Sequence, residues 1–476
     1  MSFAFDSETR RRLGYYLIDA IDDYFESLSS RDIQRAVELR SERDPIAEMP
    51  ESGMPALNVL EETFAEFVEK GFHLASARYA GFPNPTPTYM GILAEALVAT
   101  MNPQLSSVAR SQLASEIERE TVGWLCKRLG WGEDSGGTFT TGGTEANLSA
   151  LALSLTSCCP NWSDDGLQSV PSKFVFYTSM EAHHSLEKAA AMLGLGRKSL
   201  WRVPIDEQCR LDVEKLEAAI QKDLAAGKTP FCVVSTAGTP SSGAIDSLEA
   251  VGEICRHFGL WHHVDGAYGA ALMMSDKQRY LLQGIEAADS VTIDPHKWLA
   301  MPFSTSAILT RHPELLPKTF NAFPPYLQHS GNSFDFYKIG LQWSRRMNSL
   351  KLWLTLRVHG RSSYEELINR QMDQGRRFAR WAETSECFEL ASPQVLPIVN
   401  LRVKLPGGSE AEIAALNTQI VEQIVNEGKF WISATSVNGR NMIRLMIISY
   451  LTGQEHLEEL QQRMQLAAEQ ILLSQR

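Results

Sequence analysis

Residues 230–265 read PFCVVSTAGTPSSGAIDSLEAVGEICRHFGLWHHVD. Two short apolar runs, 230–236 and 260–265, flank a stretch (247–258) whose apolar residues recur at helical spacing. Strand, helix, strand over some thirty residues is a crossover unit, and parallel strands need such a connection. The pattern continues outward in both directions. Further strand-like runs are 137–140, 173–178, 289–293 and 306–310, and further helical stretches are 144–156, 184–193 and 211–226. An α/β domain with a mainly parallel central sheet is expected.

On the amino-terminal side, residues 8–28 place Leu13, Leu17, Ile21, Phe25 and Leu28 on one helical face, and 57–70 repeat the pattern. Such an arm cannot bury its stripe alone and must dock on the body or on a second subunit. A proline-punctuated loop, GFPNPTPT (81–88), follows. On the carboxyl side a strand (395–404), a helix (409–427), a hairpin around Asn438-Gly439 and a closing helix (454–474) read as a small α+β domain. The expected division is an arm at 1–80, a large domain at 81–345 and a small domain at 346–476.

Composition narrows the function. The chain has 476 residues, and 45 Lys+Arg against 57 Asp+Glu leave a net charge of −12. No Lys/Arg-rich run forms a basic stripe, which argues against nucleic-acid or anionic-membrane partners. No apolar run approaches the ~18 residues of a membrane span. The first residues lack the pattern of a signal peptide. Seven scattered cysteines with no C-x-x-C pair suggest a reducing, cytoplasmic setting.

In open α/β sheets ligands bind beyond the carboxyl ends of the strands, so chemistry is sought there. After 137–140 comes TTGGTEAN (140–147), glycines opening into a helix, a potential anion cradle. It lacks the G-x-G-x-x-G spacing, and GKT at 227–229 lacks the upstream glycine of a nucleotide-binding loop. After 173–178, His183 and His184 open a helix. After 260–264 stands Asp265, costly to bury unless it meets a cation, or else a cap on the next turn. His262 and His263 point to opposite faces of their strand and cannot easily share an ion, so no metal centre is expected. After 289–293 comes Lys297 in DPHKWL. An isolated lysine there reads as a buried stem with a solvated head. In an apolar site its ammonium form would be disfavoured and its amine freed as a nucleophile.

Together these four strand ends make the set that pyridoxal 5'-phosphate needs: an N–H cradle for its phosphate, a lysine for its aldehyde, an acid for its ring nitrogen and a flat side chain against its ring. The sequence resembles the group II pyridoxal-phosphate-dependent decarboxylases, the family of aromatic-L-amino-acid, histidine and glutamate decarboxylases. The resemblance is carried by TTGGTEANLSAL, AHHSLEKAA, HVDGAYGAA, ADSVTIDPHKWL, FPPYLQHS, RRMNSLKLW and IRLMIIS, in family order from about residue 70 to 450. It implies a fold type I PLP-dependent transferase-like architecture, a homodimer and a decarboxylase acting on an L-amino acid, with an aromatic substrate favoured.

Residue by residue, the resemblance implies that Lys297 holds the cofactor aldehyde, Asp265 serves the pyridine nitrogen and His183 stacks on the ring. It places Gly143 and Thr144 in the phosphate turn. Thr239, Asp294 and His296 fall near the cofactor, and Ala267 beneath its ring. Tyr326 in FPPYLQHS matches the tyrosine of a catalytic loop, a proton donor to the α-carbon. Arg444 matches an arginine implicated in holding the substrate carboxylate, and Phe82 lies in the loop expected to shape the substrate pocket. Two departures stand out. Pro240 replaces a threonine in the family's Gly-Thr-Thr, and Val108 and Gln112, with Arg110 between them, replace an aromatic residue and a proline of the aromatic decarboxylases. Rival outcomes are an aldehyde synthase, in which relatives carry phenylalanine at the tyrosine's place, and an acidic-substrate decarboxylase with Arg110 reading a side-chain carboxylate.

Overall fold

The computed structural model describes residues 3–34, 49–170, 172–321 and 335–474. Helices α1 (Ser7–Ser27) and α2 (Ala56–Lys70) form the amino-terminal arm and pack on each other. Asp6 caps α1 by accepting the Thr9 N–H at 2.7 Å. The expected stripe exists and is partly covered: Leu28 is buried, Leu13, Ile21 and Phe25 are half-buried, and Leu17 stays exposed. After the proline loop come α3 (Tyr89–Met101) and α4 (Gln112–Leu129).

The central unit then alternates: β1 (Gly136–Thr140), α5 (Gly143–Cys158), a short α6 (Trp162–Asp165), β2 (Phe174–Ser179), α7 (Ser185–Met192), β3 (Leu200–Val203), α8 (Val213–Ala225) and β4 (Thr229–Thr236). It continues with α9 (Leu248–Phe258), β5 (Trp261–Asp265), β6 (Ser290–Ile293), β7 (Ser306–Thr310) and a short α10 (Leu316–Phe320). The seven strands lie in the order β1-β7-β6-β5-β4-β2-β3. Strands β3, β2, β4, β5 and β6 are mutually parallel, and β7 runs antiparallel to both β6 and β1. The sheet is buried on both faces because its strands are nearly continuous apolar runs. Alternation still sorts the side chains. Phe176 and Val234 enter one core layer, whereas Val175, Tyr177 and Val233 enter the other.

Helix α11 (Ser349–Thr384) is broken at Gly360, whose φ of 71° and ψ of 166° belong to a region open to glycine. Its first half meets α3 and α4, and its second half meets the small sheet. That sheet, β8 (Phe388–Leu390), β9 (Ile398–Val403), β10 (Ser433–Val437) and β11 (Arg440–Met446), is antiparallel in the order β10-β11-β9-β8. Val399, Leu401, Ile443 and Leu445 face α12 (Glu410–Asn426) and α13 (Gln454–Ser474) through Leu416, Ile420, Leu457 and Met464. The α/β architecture and mainly parallel sheet expected from the sequence are present, with strands β3 and β8 and helices α3, α4, α6, α10 and α11 added.

Candidate active site

Strands β4, β5 and β6 end in register, Thr236 beside Asp265 and Asp265 beside Thr292. Beyond these ends lies a cavity of about 450 Å³. Every expected site residue in the described parts of the chain lines it: Phe82, Gly143, Thr144, His183, Thr239, Asp265, Ala267, Asp294, His296, Lys297 and Arg444. Tyr326 lies outside the described residues. The proline loop, the main sheet and β11 thus contribute to one space.

Lys297 corrects one expectation. Its amine is not held in an apolar site: Nζ lies 3.0 Å from Asp294 Oδ2, and about a quarter of the side chain (24%) remains exposed. The cause is local, since Asp294 is three residues earlier and the turn after β6 brings the two together. Asp294 itself is buried, is bonded by the Ser306 hydroxyl, and has His296 Nε2 at 3.7 Å. His296 donates from Nδ1 to the Thr305 carbonyl at 2.7 Å. Burial lowers its pKa below the ordinary imidazole value, with Asp294 opposing.

The glycine turn works as its composition suggests. Gly142 caps α5 without a side chain, and the first intrahelical bonds run from the Glu145 and Ala146 N–H groups to the Gly142 carbonyl. The earlier N–H groups of Gly143 and Thr144 are left at the cavity wall, as at any helix start. A Cβ on Gly143 would stand 2.8 Å from Asp294 Oδ2, so the close approach requires glycine.

Asp265 is buried, and among the described residues it forms no ion pair. Its Oδ2 accepts from Asn147 Nδ2 at 2.8 Å, and its Oδ1 accepts the Ala267 N–H at 3.2 Å. It therefore does bind the following turn, as the plainer sequence reading held, while also facing the cavity. His183 opens on the cavity, and its Nδ1 accepts the Ser185 N–H at 3.1 Å, which puts the proton of the neutral ring on Nε2. Crowding by protein atoms lowers its pKa, Asp265 pulls the other way, and Lys297 adds to the lowering. Neutral His183 is the favoured form near pH 7.

Arg444 on β11 is buried and donates to the Pro240 carbonyl (2.7 Å), the Ser433 hydroxyl (3.1 Å) and the Gly81 carbonyl (3.3 Å). Among the described residues no carboxylate pairs with it, and its guanidinium lies over the Phe82 ring at 5.2 Å. Pro240 thus lacks a hydroxyl but supplies a carbonyl that orients Arg444. The Thr239 and Ser242 hydroxyls are hydrogen-bonded at 2.7 Å. Alternation sends His262 to Ser235 and His263 to Asn147 and Ser290, so the two imidazoles do not converge. Arg110 is exposed, bonds Gln104 and does not line the cavity. Asn147 and Ser306 went unremarked in the sequence, although Asn147 stood within the quoted glycine turn.

The donors, the acid, the amine and the close glycine fit a phosphorylated pyridine aldehyde. The family model for the pyridoxal-dependent decarboxylase conserved domain matches residues 47–404. The chain belongs to the pyridoxal-dependent decarboxylases. The decarboxylase is 30% identical to the aromatic-L-amino-acid decarboxylase of Bacillus atrophaeus over 98% of its own length and 97% of the relative's. It is 30% identical to the L-2,4-diaminobutyrate decarboxylase of Acinetobacter baumannii, covering 88% and 85% of the two chains. A phenylacetaldehyde synthase of Arabidopsis thaliana is 26% identical over 95% of this chain and 94% of that one. The solved structure of Oryza sativa TDC with PLP and tryptamine superposes with a TM-score of 0.93 at 24% identity, covering 99% and 100% of the two chains. The decarboxylase is a carboxy-lyase of amino acids and uses pyridoxal 5'-phosphate. No described helix is long and apolar enough to cross a membrane, and all seven cysteines are free thiols.

Proposed function

We propose that this decarboxylase converts an aromatic L-amino acid to the corresponding amine and CO₂. The observation that carries the proposal is the cavity wall around Arg444, where one cation without a carboxylate partner stands among Phe82, Pro83, Phe303 and Met446. One buried cation suits the single α-carboxylate of such a substrate, and apolar neighbours suit its ring.

Bound pyridoxal phosphate supplies an electron-poor ring that accepts the electron pair left behind as CO₂ departs. The chain's own residues do the rest. Lys297 would hold the cofactor through its aldehyde, and Asp294, 3.0 Å from Nζ, would keep the free amine in place. Asp265 would hold a proton on the cofactor's ring nitrogen, and His183 and Ala267 would flank its ring. The N–H groups of Gly143 and Thr144 take the phosphate, beside Thr239 and His296. Arg444 orients the substrate carboxylate, and Tyr326 returns a proton to the α-carbon. We infer further that two copies pair in the cytoplasm, and the exposed part of the arm supports the pairing.

Purified protein is expected to be yellow, and borohydride should bleach it while fixing the cofactor to Lys297. Colourless protein that takes up no added pyridoxal phosphate contradicts these assignments. A panel of amino acids followed for CO₂, ammonia and hydrogen peroxide decides the product: aromatic substrates should yield amine and CO₂ alone. Release of peroxide with ammonia would identify an aldehyde synthase, and preference for glutamate or aspartate would overturn the aromatic reading.

A further inference from the structure

From Asp265 and Asn147, which both line the cavity, a line of polar side chains runs back through the sheet. Trp261 Nε1 donates to Ser290 Oγ at 2.8 Å, and Ser290 Oγ lies 2.8 Å from His263 Nδ1. His263 Nε2 lies 3.1 Å from Asn147 Oδ1, and Asn147 Nδ2 lies 2.8 Å from Asp265 Oδ2. Trp261, His263 and Asp265 alternate on β5, Ser290 stands on the neighbouring β6, and Asn147 reaches in from α5. All five side chains are buried.

The direction of each bond follows from its ends. An indole N–H can only donate, so Ser290 Oγ accepts from Trp261 and has its own proton to give. A carboxylate can only accept, so the Asn147 amide must turn its nitrogen to Asp265 and its oxygen to His263. Thr292 supports this orientation, its hydroxyl donating to Asn147 Oδ1 at 2.8 Å, and the second amide hydrogen goes to Ser185 Oγ at 3.0 Å. His263 must then carry its proton on Nε2 and accept from Ser290 at Nδ1. Burial lowers its pKa to about 3, so the ring is neutral and has one proton to place. The opposite tautomer would donate from Nδ1 to the Ser290 carbonyl at 3.2 Å and set a lone pair against the Asn147 oxygen.

We propose that Trp261, Ser290, His263 and Asn147 form a one-way chain of donors that ends on Asp265. Asn147 is thereby a positioning residue that holds Asp265 as a carboxylate turned toward the cofactor's ring nitrogen. The chain needs no proton to move. Each link polarises the next, and every side-chain proton along it is donated, which fixes one arrangement in a dry interior. The inference rests on Asp265 serving the ring nitrogen, as proposed above.

Two measurements test it. In apoprotein labelled with ¹⁵N-histidine, long-range ¹⁵N–¹H correlation should show His263 as the Nε2–H tautomer, its signal assigned by loss in His263→Gln. The Nδ1–H tautomer overturns the chain, whether or not any variant folds. In holoenzyme, Asn147→Leu should keep the far-UV circular dichroism of the parent. It should shift the pH midpoint of the cofactor's visible absorbance by about one unit or more, the scale of a lost bond to a buried charge. Its dissociation constant for pyridoxal phosphate should rise about tenfold. His183, Lys297, Asp294, His296, Tyr268 and Arg444, the other titratable groups lining the cavity, are unchanged by the substitution. Asp265→Asn is the control. If it moves the midpoint and Asn147→Leu does not, the positioning role fails alone. If neither moves it, the assignment of Asp265 fails as well.

Discussion

At the scale of single residues, the site is governed by what lies within one bond of each functional group. Asp294 illustrates this, for it holds Lys297 at 3.0 Å, takes the Ser306 hydroxyl and leaves no room for a side chain at position 143. Gly143→Ala should therefore act through Asp294. The new Cβ would stand 2.8 Å from a carboxylate oxygen already held on its other side by Ser306. Overpacking of this kind costs about 1–3 kcal/mol, and here it falls on the groups that receive the cofactor. Pyridoxal phosphate should bind about ten- to a hundredfold more weakly, measured by titrating apoprotein and following fluorescence quenching. Binding equal to that of the parent would show that the close approach is dispensable. The sequence exposes Gly143, Asp265 and Lys297 because each ends a strand or opens a helix beside turn residues. It hides Asn147 as a partner of Asp265, because 118 residues separate the two and an asparagine in a helix start reads as local chemistry.

At the scale of elements, β5 is the strand on which most depends, and it carries two neutral imidazoles into the core. Burial lowers His262 to about 4 and His263 to about 3, from an unfolded value near 6.5. The sign follows from linkage. Below about pH 6.5 the unfolded chain binds protons that these folded imidazoles refuse, so stability falls with acidification until the folded pKa values are reached. Each group contributes up to about 1.4 kcal/mol per pH unit in that window. Asp246, which accepts the Leu211 and Thr236 N–H groups, opposes them, since burial raises its pKa to about 6 and it gains a proton on folding between there and about 3.8. Two imidazoles against one carboxyl leave a net loss. The thermal midpoint should drop between pH 6.5 and 4.5, and His263→Gln should flatten that slope. A slope identical in the variant would remove His263 from the account. Elements like β5 were legible because an apolar run bounded by turn residues has one economical fold. Strands β3 and β8, of four and three residues, are too short for a period to show, and Gly360 splits the pattern of α11.

At the scale of the whole molecule, the arm is the unresolved account of apolar surface. The helical period of 8–28 was plain in the sequence, and so was its consequence that the stripe needs a cover. Among the described residues the cover is partial: Leu28 is buried and Leu13, Ile21 and Phe25 are half-buried, while Leu17 on the stripe, Tyr15 and Ile18 beside it, and Val59 and Phe67 on α2 are exposed. Nearby on the body, a groove of about 870 Å³ is lined by Tyr89, Met90, Val358, Leu367 and Tyr450, and Phe25 of α1 already touches Tyr89 edge-on at 6.2 Å. Uncovered apolar surface of this extent forgoes about 25 cal/mol for each Å² that a partner would bury. A second copy offers the same faces in return, which is the self-complementarity a two-fold pair requires. The protein is therefore expected to sediment at twice the chain mass at micromolar concentration. Leu17→Lys with Ile18→Lys places two charges on the exposed face of α1, at side chains that already reach water in the single chain. The double variant should sediment as one chain with unchanged far-UV circular dichroism. A parent that sediments as one chain, or a double variant that still pairs, would show that the arm is not what joins the two copies.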